Sequence, residues 1–456
     1  MSINLRGILP KIITDKFNEK ENILVVLANT FWLISDRVVR MVVALFVGAW
    51  IARYLSPDSY GKLNNALAFS SMFGAFSMLG FESILVRDLV KYKDKKYVLL
   101  GTAFYIRLVA GLISYLLAIA SVFLIKNGAE DLLSRQLVYI ISIGIVFQSF
   151  DVIDLYFQSQ VKSKYTVIAK NTAFIFVSLV KIVLLVCQVS LYWFAWAWLA
   201  EMLFNAVGLI WIYRRNGYKF SKWRFEWPTA KSFLGEGWTM YIAYISSFAY
   251  MRIDQIMISK MIDDTSAGLF AAASKLYEIP LFIVIVVASS VFPSLVNIYS
   301  SDRELFYKRY EQITFITTVV GYALIIGTWL FGEFFIRLFF GEAFIGAYPI
   351  LRIQMIAMFF LFNGCLRSSY LAIASKQKVI MYTSIISAFV NIGLNYVLIK
   401  TMGVTGAAIS IAVTYFLSVF FLNIFFNQTK RIFSIQLKSI ILLPLQHYWK
   451  NYNQRT

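Results

Sequence analysis

The chain has few charged residues. They account for only 15% of its 456 positions, whereas hydrophobic types account for 59%. Water-soluble proteins carry about 25% charged residues. Length alone would allow two or three soluble domains, but the shortage of polar surface excludes a chain that remains dissolved in water.

Residues that carry common chemistry are also scarce. Cys187 and Cys365 are the only cysteines, and both lie in apolar runs without metal or redox spacing, so we interpret them as small buried residues. The single histidine, His447, lies in the C-terminal tail, which leaves carboxylates to carry any coupling proton. Walker A, GxGxxG, HExxH and GxSxG patterns are absent. The sequence therefore predicts a protein that is not an enzyme, with no cofactor and no metal site.

The formal net charge is +19. The distribution of Lys and Arg along the chain indicates whether this charge serves nucleic-acid binding or membrane topology. Lys and Arg occur in short clusters between apolar runs instead of forming one extended basic surface, which a nucleic-acid partner would need. Such clusters follow the positive-inside rule for membrane proteins. We therefore expect no nucleic acid as a partner, and we take the charge as a report on topology.

Long apolar segments dominate the chain. A spanning helix needs about 20 apolar residues, and Pro280 and Pro293 predict kinks in the eighth segment. The sequence predicts an all-α polytopic membrane protein with about twelve transmembrane helices, at residues 27–54, 61–86, 98–124, 136–158, 166–190, 192–213, 233–259, 267–299, 312–338, 346–374, 379–399 and 405–427.

Loop charge sets the predicted orientation. One side of the membrane holds roughly five times as many Lys and Arg as the other. The poorer side, which we expect to be periplasmic, has only Lys62, Lys126, Arg135, Lys260 and Lys400. The pattern places the chain in the bacterial inner membrane as a multi-pass protein with both termini in the cytoplasm.

The longest connection divides the apolar segments into two sets of six. We expect residues 1–22 to form a cytoplasmic segment with a short interfacial helix and no cleaved signal peptide. The remaining boundaries are a six-helix bundle at 23–213, a cytoplasmic linker at 214–232, a second six-helix bundle at 233–428 and a basic cytoplasmic tail at 429–456 that lies on the membrane surface.

Two short motifs recur in corresponding places of the two halves. Ser59-Tyr60-Gly61 with Ala66 matches Ser266-Ala267-Gly268 with Ala273, at an offset of 207 positions. Tyr156-x5-Lys162-x-Lys164 matches Tyr370-x5-Lys376-x-Lys378, at an offset of 214 positions. Together they predict a parallel six-plus-six repeat, in which two bundles rock about a central site.

Ionisable residues occur inside the predicted spans, where each costs at least about 2.5 kcal/mol near the membrane centre. Asp36 with Arg40 and Lys275 with Glu278 are one turn apart, so these are alternatively local pairs that stabilise packing. Many interior cations suit an anionic cargo such as pyrophosphate. The predicted substrate contacts are Arg37, Arg40, Arg107, Lys181, Arg252, Lys275, Arg352 and Arg367, and the predicted coupling or gating residues are Asp36, Asp151, Asp154, Asp254 and Glu278.

Aromatic residues cluster at the outer start of the sixth predicted span. They are Tyr192, Trp193, Trp196 and Trp198. Such a cluster is typical of the aromatic belt at a membrane interface. Stacking on sugar rings is the alternative interpretation.

Several runs resemble one family of membrane proteins. The chain is similar to bacterial polysaccharide-repeat flippases of the Wzx type, in the polysaccharide transporter branch of the multidrug/oligosaccharidyl-lipid/polysaccharide exporter superfamily. Ser56 stands where that family usually has glycine, a change we expect to relax a turn and do little more. The matching runs are residues 51–61 (IARYLSPDSYG), 79–81 (LGF), 87–88 (RD), 252–258 (RIDQIMI), 268–278 (GLFAAASKLYE), 292–293 (FP) and 403–408 (GVTGAA).

The resemblance implies a fold of twelve helices and a function. Its members move an undecaprenyl-pyrophosphate-linked oligosaccharide repeat unit, as for O-antigen, from the cytoplasmic to the periplasmic leaflet. The lipid-linked oligosaccharide and membrane lipids are the expected partners, with a polysaccharide polymerase and a chain-length regulator as further candidates. A multidrug or lipid II exporter of the same superfamily is the alternative. A membrane polysaccharide polymerase or glycosyltransferase is disfavoured, because the predicted outer loops are too short to hold catalytic groups.

Overall fold

A computed structural model describes residues 21–125 and 132–442 of the chain, with the side chains of 21–31, 33, 124 and 125 left aside. The predicted interfacial helix within residues 1–22 and half of the tail, residues 443–456, therefore lie outside the described side chains. Within the described residues the secondary structure is helical. Its main helices are α1 (Glu21–Met78), α2 (Glu82–Lys91), α3 (Lys96–Ile125), α4 (Leu132–Phe147), α5 (Val152–Ser159), α6 (Ser163–Val186), α7 (Leu191–Arg215), α8 (Trp227–Met261), α9 (Asp264–Glu278), α10 (Leu281–Ser301), α11 (Arg303–Phe340), α12 (Ala347–Asn363), α13 (Arg367–Ile373), α14 (Gln377–Met402), α15 (Val404–Tyr415) and α16 (Lys430–Ile440).

The helices confirm the predicted fold class. Ten helical stretches among the described residues are long and apolar enough to cross a membrane. The first of them combines two predicted spans, because α1 is interrupted at Ser56 (φ 66°, ψ 164°). Helix α8, with 35 residues, is long enough to span but less apolar. Dividing α1 at Ser56 and adding α8 gives the expected twelve segments.

The conformation of Ser56 corrects one expectation. A positive φ with a ψ near 164° belongs to a region that is essentially restricted to glycine. Serine at this position therefore strains the turn instead of relaxing it. Pro280 has the predicted effect, since the eighth predicted span divides there into α9 and α10. Pro293 lies inside the continuous helix α10, and a kink at this residue stays a prediction.

Two glycines of the repeated motif meet where the halves cross. A Cβ atom added to Gly61 would lie 1.8 Å from the carbonyl oxygen of Asp264, and one added to Gly268 would lie 1.9 Å from that of Pro57. Gly268 lies 207 positions after Gly61, and Asp264 lies 207 positions after Pro57, so the two contacts are equivalent and the crossing is symmetric. Only glycine permits such a close approach of two backbones. We call this end of the bundle the outer end, following the orientation predicted from loop charge.

The second repeated motif also has equivalent surroundings in the two halves. Tyr156 packs against Tyr213 and Tyr218, with ring centroids 6.1 and 5.1 Å away. Tyr370 donates a hydrogen bond to the carbonyl oxygen of Gln428 at 2.7 Å. Each tyrosine thus anchors the segment that follows the last long helix of its own half.

The halves also touch at the opposite end of α1 and α8. Gly80 (φ 71°) lies against the backbone of α8, where an added Cβ would meet the nitrogen of Tyr241 at 2.5 Å. Arg87 forms an ion pair with Glu236 at 2.9 Å. The second part of α1 therefore packs along α8 from one end to the other.

A polar cavity between the two halves

A polar cavity with interior charges lies between the two halves. It has a volume of about 260 Å³. Helices α1 and α7 form one wall, and α8, α9 and α15 form the other. Its charged residues are Arg252, Asp254, Lys275 and Glu278, all of them from the second half.

A second cavity of about 220 Å³ adjoins the first. It is lined by α1, α6 and α7 of the first half, and it contains Lys181 and Glu201. Asn64, Trp198 and Lys275 line both cavities. We call the two adjoining cavities the central vault.

Ion pairs neutralise two of the three cations in the central vault. Lys181 lies 2.8 Å from the carboxylate of Glu201, and both side chains are nearly buried. Arg252 lies 3.4 Å from the carboxylate of Glu278. Glu278 is thus paired with a neighbouring helix, and the local pair with Lys275 that the spacing allowed is not formed.

Lys275 differs from the other vault cations. It forms no ion pair within 4 Å and no hydrogen bond with any residue in the described part of the chain. Eleven residues separate it from the start of α9, which places it about 16 Å along the helix, near the middle of a bilayer core of about 30 Å. A half-buried ammonium at this depth requires water or an anion beside it.

Asp254 occupies a fully buried polar cluster at the edge of the vault. Asn391 donates to its Oδ1 at 3.3 Å, and Asn395 donates to the same oxygen. Asn391 also contacts the hydroxyls of Ser410 and Thr414, each at 3.2 Å. The other carboxylate oxygen, Oδ2, has no hydrogen-bond partner within the described residues. Neutral groups thus surround this carboxylate.

The first half holds several predicted site residues in ion pairs away from the vault. Asp36 pairs with Arg40 at 2.9 Å, as the spacing predicted. Lys170 pairs with Asp154 at 2.7 Å and with Asp151 at 3.5 Å.

Four more predicted substrate contacts also lie outside the residues that line the vault. The buried Arg107 pairs with Glu82. Arg352 stacks on the ring of Trp329, with its Cζ 4.0 Å from the centroid. Arg37 is exposed and has no ion pair within the described residues.

Arg367 is the fourth of these residues, and it is buried among neutral groups in the second half. It donates to Asn423 at 2.7 Å and to Thr383 at 3.1 Å. Asn423 donates in turn to Gln436 of α16 at 2.9 Å. Its described contacts thus hold together α13, α14 and the C-terminal helix.

Sequence reasoning missed three features of the site. Glu201 was assigned no role from the sequence, because its partner Lys181 lies on another helix. Asn391 and Asn395 carry no charge, and their contact with Asp254 is visible only in three dimensions. Their i, i+4 spacing on one helix is the only signal that the sequence offers. Trp198 lines the vault, whereas Trp193 and Trp196 are 53% and 41% exposed, so the aromatic cluster divides between both interpretations.

The chain is similar to several known proteins. The profile of the family described as "Polysaccharide biosynthesis protein" matches residues 50–349. The putative O-antigen transporter of Shigella flexneri is 22% identical over 402 residues, which are 84% of this chain and 94% of that protein. The probable lipid II flippase MurJ of Thermotoga maritima is 28% identical over 240 residues, which are 49% of this chain and only 48% of that protein.

Solved structures share the fold. Lipid II flippase MurJ in an inward closed conformation matches with a TM-score of 0.69 at 17% identity, covering 91% of this chain and 92% of that one. A multidrug resistance transporter of the MATE family, in an inward-facing conformation, matches with a TM-score of 0.67 at 14% identity, covering 89% and 94%. The resemblance seen in the sequence is confirmed: this chain belongs to the polysaccharide biosynthesis protein family and has the fold of the multidrug/oligosaccharidyl-lipid/polysaccharide exporters.

Proposed function

We propose that this protein is a flippase that moves an undecaprenyl-pyrophosphate-linked oligosaccharide repeat unit, of O-antigen or a related surface polysaccharide, from the cytoplasmic to the periplasmic leaflet of the inner membrane. The observation that carries this proposal is the central vault, which lies between two repeated halves and contains a cation, Lys275, that has no partner among the described residues. An anionic head group is the natural partner for Lys275 in a membrane interior.

The vault offers different contacts to different parts of such a cargo. Lys275 and Arg252 line the same cavity and bind the pyrophosphate, since charge-assisted hydrogen bonds to phosphate are strong in a site sheltered from water. Trp198 provides an aromatic face for a sugar ring. The polyprenyl chain remains in lipid beside the two halves, so the vault has to hold only the head group.

Alternating access supplies the movement. The crossing of Gly61 and Gly268 closes the outer end, and separating the halves there opens the vault toward the periplasm. Cargo shifts this equilibrium only through contacts that differ between the two conformations. Arg252 serves this purpose, because it exchanges Glu278, 3.4 Å away, for the pyrophosphate.

Asp254 is our candidate for ion coupling. Its unpartnered Oδ2 and its neutral amide and hydroxyl neighbours suit reversible binding of a proton or a monovalent cation. Bound positive charge would remove the cost of a buried carboxylate. The conformational change that carries the cargo can therefore be linked to the ion at this position.

A deletion strain tests the proposal most simply. The strain complemented with Lys275→Gln should show at least a tenfold loss of surface polysaccharide at equal protein level, with lipid-linked repeat units accumulating inside. Lys275→Arg should restore part of the function, because it keeps the charge. Lys400→Gln is the matched control, since Tyr396 of its own helix, at 2.6 Å, is the hydrogen-bond partner of Lys400 among the described residues. Normal polysaccharide with Lys275→Gln would refute the role of the vault.

A lipid II or multidrug exporter is the second candidate. The structural likeness to lipid II flippase MurJ favours it, together with 28% identity to a probable lipid II flippase over half of the chain. The lipid that accumulates in the deletion strain distinguishes the two functions. Accumulation of lipid II, or of a drug in the cytoplasm, would identify that compound as the cargo instead of the sugar repeat.

A further inference from the structure

A small cavity at the outer end contains three positive charges. It lies between α1, α3, α4 and α8, with a volume of about 40 Å³. A cavity needs about 10–15 Å³ for each water molecule, so this one holds a group the size of a phosphate. Its cations are Lys62, Arg135 and Lys260. We call this cavity the outer basic pocket.

The convergence of these cations is notable for their side of the membrane. The positive-inside rule makes Lys and Arg scarce in outer loops, and five are expected there in the whole sequence. Three of those five line one cavity. Scattered outer charges need no explanation, but this grouping brings like charges together at an energetic cost.

The protein itself neutralises this pocket only in part. Lys62 forms an ion pair with Asp58 at 2.7 Å, in which both side chains are partly exposed. Lys260 has neither an ion pair nor a hydrogen bond with any residue that the structure describes. The floor is apolar and includes Phe69, Val138 and Ile256. Positive charge over an apolar floor fits an amphiphile with an anionic head.

Both halves of the protein contribute to the pocket. Lys62 and Arg135 belong to the first half, and Lys260 belongs to the second. The halves are joined beside it by a hydrogen bond from Asn65 to Ser259 at 2.7 Å. Two lysines on opposite walls match an anion with two charged groups, such as a diphosphate, better than the single charge of a phosphodiester.

We propose that the outer basic pocket binds the diphosphate of a polyprenyl-linked lipid in the outer leaflet, with the first isoprene units on the apolar floor. The choice of this lipid rests on the proposed function, whose product it is. The pocket is complete only while the halves are together at the outer end. Bound lipid therefore favours the outward-closed conformation, which is the one that must form again after each release.

Farnesyl diphosphate is a soluble probe for this site. The full chain with Lys275→Gln, in nanodiscs of phosphatidylcholine, is titrated with the probe. This change weakens binding in the vault, and what remains there is the same in every variant compared. Adding Lys260→Gln should lower the affinity about tenfold, as for the loss of one contact to a charged group. Adding Lys400→Gln instead should leave the affinity unchanged, and thermal unfolding confirms that each variant is folded.

The remaining outcomes each decide a part of the proposal. Uncharged farnesol should bind far more weakly than farnesyl diphosphate, and equal binding would overturn the role of the cations. Equal affinity of the Lys260→Gln and Lys400→Gln proteins would overturn the pocket. Full displacement of the probe in discs rich in phosphatidylglycerol would overturn the diphosphate as ligand. None of these results touches the proposed function, which fails instead if Lys275→Gln supports normal surface polysaccharide.

Discussion

The two halves of this protein make equivalent backbone contacts at the outer crossing, but they differ in how their interior charged residues are paired. The first half pairs its ions with each other, as in Lys181 with Glu201 and Lys170 with Asp154. The second half also has an ion pair, Arg252 with Glu278, but it surrounds Asp254 with neutral amides and leaves Lys275 without a partner among the described residues. Paired charges stabilise one arrangement, whereas unpaired ones respond to what binds. The comparison assigns a structural task to the first half and a responsive one to the second.

We expect the largest effect from changes at the outer crossing, where the two halves make equivalent contacts. Gly61→Ala and Gly268→Ala each place a methyl group within 2 Å of a carbonyl oxygen. Overpacking costs about 1–3 kcal/mol, which shifts a two-state equilibrium about 10- to 100-fold. The measurement uses a chain in which Cys187 and Cys365 are replaced and a single cysteine stands at position 64, in place of Asn64. This cysteine should react with an impermeant maleimide added from outside faster in each alanine variant than in the chain with both glycines, by the same factor.

The control for this experiment is Gly393→Ala, since nothing lies within 4 Å of a Cβ built there. It should leave the labelling rate unchanged. If only one of the two crossing glycines affects labelling, the symmetry of the contact is not functional. If neither does, the crossing is not the outer closure.

Ion pairing in the first half predicts the next largest effect. Lys181→Ala leaves the nearly buried Glu201 without its partner, which should lower the free energy of unfolding in detergent by about 3 kcal/mol. The double change Lys181→Met with Glu201→Leu should return to within about 1 kcal/mol of the original protein. Lys275→Met should change stability by less than about 1 kcal/mol, because it breaks no pair. A large loss with Lys275→Met would remove the contrast between the halves.

Asp254→Asn tests the responsive half. The amide keeps the shape of the carboxylate and can still accept a hydrogen bond from Asn395, so stability should change by less than about 1 kcal/mol. Transport should fall at least tenfold and lose its dependence on an ion gradient, measured in proteoliposomes. Unchanged gradient dependence would exclude Asp254 from coupling.

Ser56 gives the smallest expected effect. Its counterpart at the 207 offset, Asp263, has an extended backbone and caps α9 by accepting a hydrogen bond from Ser266 at 2.6 Å. Ser56 instead has a positive φ. Ser56→Gly should therefore stabilise the protein by about 1 kcal/mol in a thermal unfolding measurement. A destabilised Ser56→Gly protein would mean that the serine side chain contributes more than the strain costs.

The fold could be predicted from the sequence, because apolar length and loop charge act locally along the chain. The Gly61 and Gly268 motif also identified the repeat, although the contact between the two glycines is visible only in three dimensions. The site was harder to predict. Whether an interior cation is paired depends on neighbouring helices, so Arg107 could not be separated in advance from Lys275. The sequence shows that a charged residue lies inside a span, whereas only the packing of the helices shows whether that residue is paired.

The most direct test of the central vault measures translocation itself. Proteoliposomes containing the protein and its lipid-linked repeat unit are treated from outside with a glycosidase that cannot cross the membrane, and the cleaved fraction is followed in time. We expect the protein to bring the inner-leaflet lipid within reach of the enzyme, and Lys275→Gln to leave it protected while Lys400→Gln does not. Equal cleavage with Lys275→Gln and the original protein would contradict the account.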